Sequence, residues 1–306
     1  MSPRVLILDG VHENCARMLR ENNLKVEEIP EITPEELKAK LADVHAIVVR
    51  SKTKITKELI DAAPNLKIIA RAGVGLDNID VEYAKKRQIK VVNAEEAPSV
   101  TVAELVMGLI ITLLRNIAIA DHLMKKGKWA KSHLRGMELR GKTIGIIGAG
   151  RIGIEVLKRS RAFEMNPIVF DISKEQLEKA RALGAKVEPN LDALLQKADI
   201  ITIHIPLTPE TKNLINEEKI KLMKDGAFLI NAARGGIVDE KALYNALIEG
   251  KLTGAGLDCY EEEPSPNTDL INLPNVVCTP HLGASTEEAQ RTAAYLIAKK
   301  IIEHLC

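Results

Sequence analysis

TIGIIGAGRIG, residues Thr143–Gly153, is the most informative segment of the chain. The apolar run Thr143–Ile147 has the length and composition of a buried β-strand. Three glycines follow it in the spacing G-x-G-x-x-G, at Gly148, Gly150 and Gly153. The segment therefore predicts a strand, a tight turn and a helix that packs closely against the strand.

The three glycines predict a binding site for a dinucleotide. Gly148 permits the sharp turn, Gly150 lets the backbone approach a pyrophosphate, and Gly153 lets the helix pack on the strand. The N–H groups at the helix N-terminus then face the phosphates, and Arg151 can add a side-chain contact.

Asp171 predicts which dinucleotide binds. It follows a second predicted strand, Ile168–Phe170, about 20 residues beyond the glycine turn, where a carboxylate accepts hydrogen bonds from the adenosine ribose. Because this carboxylate would repel a 2′-phosphate, we expect NAD rather than NADP. The alternative is that Asp171 only caps the helix that begins after Ser173.

Short β-branched runs alternate with amphipathic stretches along the whole chain. The predicted strands are Val5–Leu8, Ala46–Val49, Lys67–Ala70, Lys90–Val92, Thr143–Ile147, Ile168–Phe170, Ile200–Ile203, Ala227–Ile230 and Val276–Cys278. Such runs are typical of parallel sheets with crossover helices, so we expect an α/β protein. The pattern predicts one domain of residues 99–284 and another that combines residues 1–98 with 285–306, the latter including a helix over about Thr286–His304.

The charge balance argues against a nucleic-acid or membrane partner. The chain has 43 Lys+Arg and 42 Asp+Glu residues, a net charge of +1, without a basic block. Its most apolar long stretch, Val102–Leu114, contains Glu104 and is shorter than the roughly 20 residues that a membrane span needs. The N-terminus has only Val5–Leu8 before Asp9, so we expect no signal peptide.

The cysteines indicate the compartment. Cys15, Cys259, Cys278 and Cys306 are scattered, without the spacing of a disulfide framework or a zinc site. We therefore expect a cytoplasmic protein without a bound metal. Few glutamines among many Ile, Lys and Glu residues favour a thermophilic source.

One long helix is predicted from about Thr101 to Lys126. Thr101 and Glu104 have the spacing of a capping box at its start. Its apolar stripe is wider than one sheet would cover, which favours contact with a second subunit in a homodimer or homotetramer. The alternative is a core helix that only joins the two domains.

Three polar segments each follow a strand end in the second half of the chain, two of them after the predicted strands Ala227–Ile230 and Val276–Cys278 and the third after a further expected strand. They are Asn231–Gly236, Leu257–Pro264 and Thr279–Ala284. Because the carboxyl ends of parallel strands meet at one edge, where open α/β sheets bind ligands, we expect the segments to lie together.

Arg234, Glu263 and His281 in these segments suit hydride transfer between an alcohol and nicotinamide. The reaction needs a base for the hydroxyl proton, and histidine titrates near neutral pH. A carboxylate such as Glu263 would fix the tautomer and favour the imidazolium. A guanidinium such as Arg234 can bind a substrate carboxylate through two donors and polarise the neighbouring carbonyl. Each residue alone would also fit an ordinary surface position.

The motifs GAGRIG, NAARGGIVD, LDxxxxEP and PHLGAST together resemble those of the D-2-hydroxyacid dehydrogenase family. RAGVGLDNID, residues Arg71–Asp80, resembles the branch of that family that acts on 3-phospho-D-glycerate. The resemblance covers nearly the whole chain. It implies a Rossmann-type doubly wound sheet for NAD and a second, flavodoxin-like α/β domain for the substrate.

The resemblance also implies residue roles, with Arg234, Glu263 and His281 as the catalytic residues and Asp258 holding the nicotinamide carboxamide. The implied cofactor contacts are Val74, Gly148, Gly150, Arg151, Ile152, Gly153, Asp171, Ile205, Ala232, Ala233, Arg234, Asp258, His281, Leu282, Gly283 and Ala284. The implied substrate contacts are Arg50, Ser51, Arg71, Gly73, Val74, Gly75, Asn78, Arg234 and His281.

Arg50 is the residue through which the resemblance implies a phosphorylated substrate. Val49-Arg50-Ser51 matches the segment whose arginine binds the substrate phosphate, with Arg71 as a second candidate. Surface salt bridges are the alternative for both arginines. Val74 and Ala232 stand where relatives often have Thr and Cys, so a Val74 contact would be made through the backbone.

The resemblance implies oxidation of 3-phospho-D-glycerate by NAD, the first step of phosphorylated serine synthesis. Many family members carry C-terminal regulatory domains that bind serine, whereas this chain stops at Cys306, so we do not expect feedback inhibition by that route. A glyoxylate or hydroxypyruvate reductase of the same family is the first alternative. An NAD-sensing co-repressor is a more distant one, which needs cofactor binding without turnover.

Overall fold

The computed structural model describes residues 2–95, 97, 99–264 and 266–306. The chain divides into two compact units, the first of residues 1–98 and 284–306 and the second of residues 99–283. The strands are β1 Arg4–Leu8, β2 Lys25–Ile29, β3 Ala46–Val49, β4 Ile68–Arg71, β5 Lys90–Asn93, β6 Thr143–Ile147, β7 Asn166–Phe170, β8 Lys186–Val187, β9 Ile200–Ile203, β10 Ala227–Asn231, β11 Leu252–Leu257 and β12 Val276–Cys278. The helices are α1 Asn14–Glu21, α2 Pro34–Lys40, α3 Lys57–Asp61, α4 Val81–Lys86, α5 Ser99–Leu114, α6 Ile117–Lys125, α7 Arg151–Ala162, α8 Lys174–Ala182, α9 Leu191–Lys197, α10 Glu217–Leu222, α11 Glu240–Ile248, α12 Thr268–Ile271 and α13 Glu287–Leu305.

The sheet of the first unit is parallel, with the strand order β2-β1-β3-β4-β5. This is the flavodoxin-like order, in which the chain changes direction across the sheet between β1 and β3. Both faces are covered by helices. Val5 and Ile7 of β1 pack in a cluster with α1 and α13, whereas Leu6 and Leu8 pack in the opposite cluster with α2, α3 and α4.

The sheet of the second unit is also parallel, with the order β12-β11-β10-β9-β6-β7-β8. The central part of this order is that of a Rossmann fold, with the change of direction between β6 and β9. Its two faces carry separate apolar clusters, one of which includes α5 and α7. The prediction of an α/β protein with two doubly wound parallel sheets is therefore confirmed.

The prediction of one helix over Thr101–Lys126 is wrong. The structure has two helices there, α5 and α6, with a bend of 66° between them. Asn116, between the helices, has φ +55°, a left-handed conformation that asparagine tolerates better than most residues. The predicted capping box is also wrong, because α5 begins at Ser99 and Thr101 already lies inside its first turn.

Among the described residues, no single helix has both the length and the apolar composition needed to cross a membrane. Only α5 and α6 taken together, across their bend, meet those two criteria.

Candidate active site

The turn between β6 and α7 requires glycine for steric reasons. Gly148 has φ +96°, and a Cβ there would lie 2.6 Å from the carbonyl oxygen of His204. A Cβ on Gly153 would collide with the carbonyl oxygen of Gly148. Gly150 is the N-cap of α7, makes no side-chain cap, and has open space where a Cβ would stand. The turn thus exposes a bare helix N-terminus, which suits a pyrophosphate.

Asp171 is held beside this turn by its own hydrogen bonds. Its Oδ2 accepts from the Ala149 N–H at 2.6 Å, and its Oδ1 accepts from the Ser173 N–H at 2.7 Å. The cap of α8 is Ser173, which accepts from the Gln176 N–H. Asp171 is therefore not the helix cap, and its carboxylate lies beside the glycine turn. N–H donors for a diphosphate beside a carboxylate for a ribose form a set that fits NAD.

The chain that follows β9 lines the same turn. A Cβ on Gly148 would lie 2.8 Å from Cγ2 of Ile205, so this side chain packs against the turn. Burial lowers the pKa of His204 to about 3. Its Nε2 lies 2.9 Å from Oγ1 of Thr202. His204 is thus neutral at physiological pH and is a poor candidate for proton transfer.

Tyr260 connects the loops that follow β10, β11 and β12. Its hydroxyl lies 2.9 Å from the Thr279 carbonyl oxygen and 3.2 Å from the Leu257 carbonyl oxygen. Its own carbonyl oxygen fills the place of a Cβ on Gly235, so a larger residue there would collide with the backbone. The three polar segments predicted to lie together do so.

His281 and Glu263 form a direct pair. Nδ1 of His281 lies 2.8 Å from Oε2 and 3.0 Å from Oε1 of the carboxylate. Oε1 also accepts from the Tyr260 N–H at 3.1 Å. The side chains are 49% and 37% exposed, respectively, so a small molecule can reach the pair. His281 itself has φ +52°, an unusual conformation for histidine.

The pair shifts both titrations in the direction of an ion pair. The hydrogen bond to Glu263 raises the pKa of His281, and it outweighs burial, which acts in the opposite direction. Burial raises the pKa of Glu263, but the hydrogen bond and charge of His281, the Tyr260 N–H and the charge of Arg234 together outweigh it, and the pKa is lowered. The imidazolium is therefore stabilised, as a group that alternates between base and acid requires.

Arg234 lies close enough to act on this pair. Its positive charge contributes to lowering the pKa of Glu263 and opposes the rise in the pKa of His281. Arg234 is half-buried, and its Nη1 donates to the Ala233 carbonyl oxygen at 2.7 Å. The three predicted catalytic side chains thus belong to one electrostatic cluster.

Asp258 is buried directly beneath the turn that carries His281. Its Oδ1 accepts from the Thr279 hydroxyl and from the Leu282 N–H, both at 2.6 Å. Its Oδ2 accepts from the Gly283 N–H at 2.8 Å. Asp258 therefore binds the turn on both sides of His281, through the Thr279 side chain before it and through two backbone N–H groups after it.

Two reciprocal hydrogen bonds fix the acidic segment that carries Glu263. The N–H of Glu261 donates to Oε1 of Glu240 at 2.7 Å, and the N–H of Glu240 donates to Oε1 of Glu261 at 3.2 Å. Neither Glu240 nor Tyr260 was predicted from the sequence as a site residue. The signals available in the sequence were an acidic residue at the start of α11 and an aromatic residue shortly after β11.

In the first unit, the predicted substrate residues gather around the loop that follows β3. Nε of Arg71 donates to the Arg50 carbonyl oxygen at 2.8 Å, and its Nη1 donates to the Gly75 carbonyl oxygen. Nδ2 of Asn78 donates to the carbonyl oxygens of Arg50 and Thr53 at 3.2 and 2.7 Å. Arg71 and Asn78 therefore support the loop through its backbone, and Arg50 lies at its start.

The remaining predicted residues lie at or near the ends of strands. Arg151 and Ile152 open α7, Ala232 and Ala233 follow β10, Ser51 follows β3, and Gly73 and Val74 follow β4. Ala284 is the first residue of the segment that returns to the first unit.

A family model described as "D-isomer specific 2-hydroxyacid dehydrogenase, NAD binding domain" matches residues 107–283. The chain belongs to that family. The predicted family and its NAD-binding domain are thereby confirmed.

Two curated relatives and one solved structure show the range of the family. The D-3-phosphoglycerate dehydrogenase of Methanocaldococcus jannaschii is 48% identical over 300 residues, which cover 97% of this chain and 56% of that protein. The hydroxypyruvate reductase of Thermotoga maritima is 45% identical over 307 residues, which cover 99% and 98% of the two chains. The D-lactate dehydrogenase of Aquifex aeolicus, solved with NAD and lactic acid, has a TM-score of 0.83 and 32% identity, covering 97% and 94%. The chain spans about half the length of the phosphoglycerate dehydrogenases that it matches.

Proposed function

We propose that the chain oxidises 3-phospho-D-glycerate to 3-phosphohydroxypyruvate with NAD, the first step of phosphorylated L-serine synthesis. The observation that carries the proposal is the His281–Glu263 pair beside Arg234. The phosphorylated substrate is supported by Arg50, at the start of a braced loop, and by the similarity to phosphoglycerate dehydrogenases.

His281 acts as the general base. Its Nδ1–H donates to Glu263, so Nε2 is the nitrogen that takes the proton of the substrate hydroxyl. Glu263 stabilises the imidazolium that results, and Asp258 keeps the turn in place. The glycine turn before α7 would hold NAD, which would supply the acceptor for the hydride on C2.

Arg234 binds the substrate carboxylate and polarises the oxygen on C2. A guanidinium presents parallel donors that match a carboxylate, and its charge stabilises the oxygen as the C–H bond breaks. Arg50 binds the phosphate through the same fork of donors.

The second candidate is a hydroxypyruvate or glyoxylate reductase. It is favoured by the Thermotoga maritima relative, which matches over nearly its whole length. The deciding experiment measures kcat/KM with NAD for 3-phosphoglycerate, glycerate and lactate, and with NADH for glyoxylate and hydroxypyruvate. A higher kcat/KM for 3-phosphoglycerate than for the other hydroxy acids supports the proposal. Efficient reduction of glyoxylate without oxidation of 3-phosphoglycerate supports the reductase. No turnover with any of them would leave a binding protein.

We expect Asp171→Asn to weaken the preference for NAD over NADP by about tenfold or more. The substitution keeps the shape but removes the charge, and a hydrogen bond to a charged group contributes roughly 1.5–3 kcal/mol. The ratio of kcat/KM for the two cofactors measures the effect. Asp192→Asn, on α9 of the same unit, is the matched control. Equal use of both cofactors by the unmutated protein would contradict the assignment.

We expect Glu263→Gln to move the pH profile of the reaction toward lower pH. Glu263 raises the pKa of His281, so its loss lowers that pKa. Oxidation needs neutral imidazole, so kcat/KM for oxidation rises with pH through this pKa. In the variant this rise should occur at lower pH. Reduction needs imidazolium, so kcat/KM for reduction should fall at a lower pH in the variant than in the unmutated protein. Profiles of kcat/KM in both directions measure the shift; Glu262→Gln is the control, and an unmoved limb would contradict the pairing.

We also propose a homodimer or homotetramer in the cytoplasm. None of the residues of α6, all of which the structure describes, is buried. Ile117, Ile119 and Met124 are exposed there, and the nearby Trp129 is 79% exposed. A second copy of the chain would cover this apolar surface.

All four cysteines are free thiols, in agreement with a reducing compartment.

A further inference from the structure

We infer that Asp9 is a positioning residue for substrate phosphate, because its carboxylate holds the loop Arg50–Thr53 in the conformation that presents Arg50. The inference rests on the proposed function, since it assumes that Arg50 binds a phosphate.

The carboxylate of Asp9 accepts hydrogen bonds from several donors of the loop Arg50–Thr53. Its Oδ2 accepts from the N–H groups of Arg50 at 2.9 Å, Thr53 at 3.0 Å and Lys52 at 3.2 Å. Its Oδ1 accepts from the Thr53 hydroxyl and, at 3.1 Å, from the Thr53 N–H. One carboxylate therefore binds three backbone N–H groups and a hydroxyl within four consecutive residues.

The loop is held from its carbonyl side as well. Arg71 and Asn78 donate to the carbonyl oxygen of Arg50, and Asn78 also donates to that of Thr53. With the N–H groups bound by Asp9, the backbone of the loop is constrained in both directions. The Arg50 side chain thus starts from a fixed Cα, which reduces the entropy lost when it binds a ligand.

The position of Asp9 in the sheet supports a role near a ligand. It follows β1, and the loop follows β3, so they meet where the strand order of the first unit changes direction. Open α/β sheets bind ligands at this place. A small pocket lies there, lined by Gly10, Val11 and His12 together with Arg50.

The charge of Asp9 explains why it positions the ligand site and does not bind the ligand. A carboxylate in contact with a phosphate would repel it, but here the N–H dipoles of the loop satisfy both oxygens. Asp9 also has φ +64°, a conformation that aspartate and asparagine tolerate better than most residues.

Asp9→Asn is the variant that tests the inference. Asparagine keeps the size and the left-handed backbone, but its NH₂ group replaces an acceptor and faces N–H donors. We expect KM for 3-phosphoglycerate to rise about tenfold, the change expected for one lost charge-assisted hydrogen bond, with kcat changed by less than about twofold. KM for glyoxylate and the Kd for NAD should not change. Thr53→Val, which removes the hydroxyl from the same carboxylate, should raise KM in the same selective way by a smaller factor.

Controls and a second readout make the outcomes distinct. Asp61→Asn removes one carboxylate that binds Tyr83 and Arg87 in the same unit, and it should leave every constant unchanged. Arg50→Ala gives the full loss of the phosphate contact. Hydrogen exchange at the amides of residues 50–53 reports the loop directly and should be faster in Asp9→Asn.

Unchanged exchange in Asp9→Asn would overturn the positioning role whatever the substrate. Faster exchange with equal rises in KM for both substrates would also overturn it, because the effect would then be general loosening. If the unmutated protein does not turn over 3-phosphoglycerate, the proposed function fails, and the phosphate part of the inference fails with it.

Discussion

Replacing His281 with alanine should lower kcat by about 10²–10⁴, the usual contribution of a positioned general base. The hydroxyl proton then has no acceptor at the reacting oxygen, although the cofactor site and Arg234 remain. Among the described residues, Glu263 is the one hydrogen-bond partner of the His281 ring. The fold should therefore persist without the ring. Steady-state kinetics in both directions measure the loss.

His304→Ala is the matched control, because this histidine is exposed in the last turn of α13. It should leave kcat unchanged. Binding of NADH, followed by its fluorescence, should be close to normal in His281→Ala. If kcat fell by less than about tenfold, far below the range for a general base, another group would have to take the proton.

Replacing Arg234 with alanine should lower kcat/KM by about 10²–10³, the range found when one donor to a developing oxyanion is removed. The substrate loses both its carboxylate contact and the charge that polarises C2–O. Arg234→Lys should recover only part of the loss, because an ammonium lacks the fork of donors. Kinetics with saturating NAD measure both variants.

The pH profile gives Arg234→Ala a second readout. The charge of Arg234 opposes the rise in the pKa of His281, so its removal should move the limb to higher pH, opposite to Glu263→Gln. Arg181→Ala, which removes a surface pair with Glu178, is the control. A limb that stays in place, or full recovery by lysine, would show that Arg234 acts elsewhere.

Local features of this fold could be predicted from sequence. The strand, glycine turn and helix around Gly148 are set by residues within one short segment, as is the strand end at Asp171. β2 was missed because it lies at the edge of the sheet and three of the five residues of KVEEI are charged. β8 was missed because it has only two residues.

The break between α5 and α6 was missed because the apolar pattern continues across it. Leu113, Leu114 and Ile117 keep helical spacing, and only the backbone of Asn116 interrupts the helix.

Contacts between residues that lie far apart in the sequence could not be predicted from local sequence patterns. The pairing of His281 with Glu263 could be proposed because both belong to recognisable motifs. Asp9 could not, since its partners lie more than forty residues away and bind through backbone N–H groups, which leave no trace in residue type. Tyr260 also acts through the backbone, because its hydroxyl donates to the Thr279 carbonyl oxygen of another loop.

The place of α13 in the first unit has a consequence for synthesis on the ribosome. Ile297 and Ile301 of this helix complete one face of the first sheet, yet they are translated after the whole second unit. Until α13 has been synthesised, one apolar face of the first sheet therefore stays uncovered, whereas every residue of the second unit has already been translated. An apolar face that is exposed during that interval favours aggregation of the nascent chain.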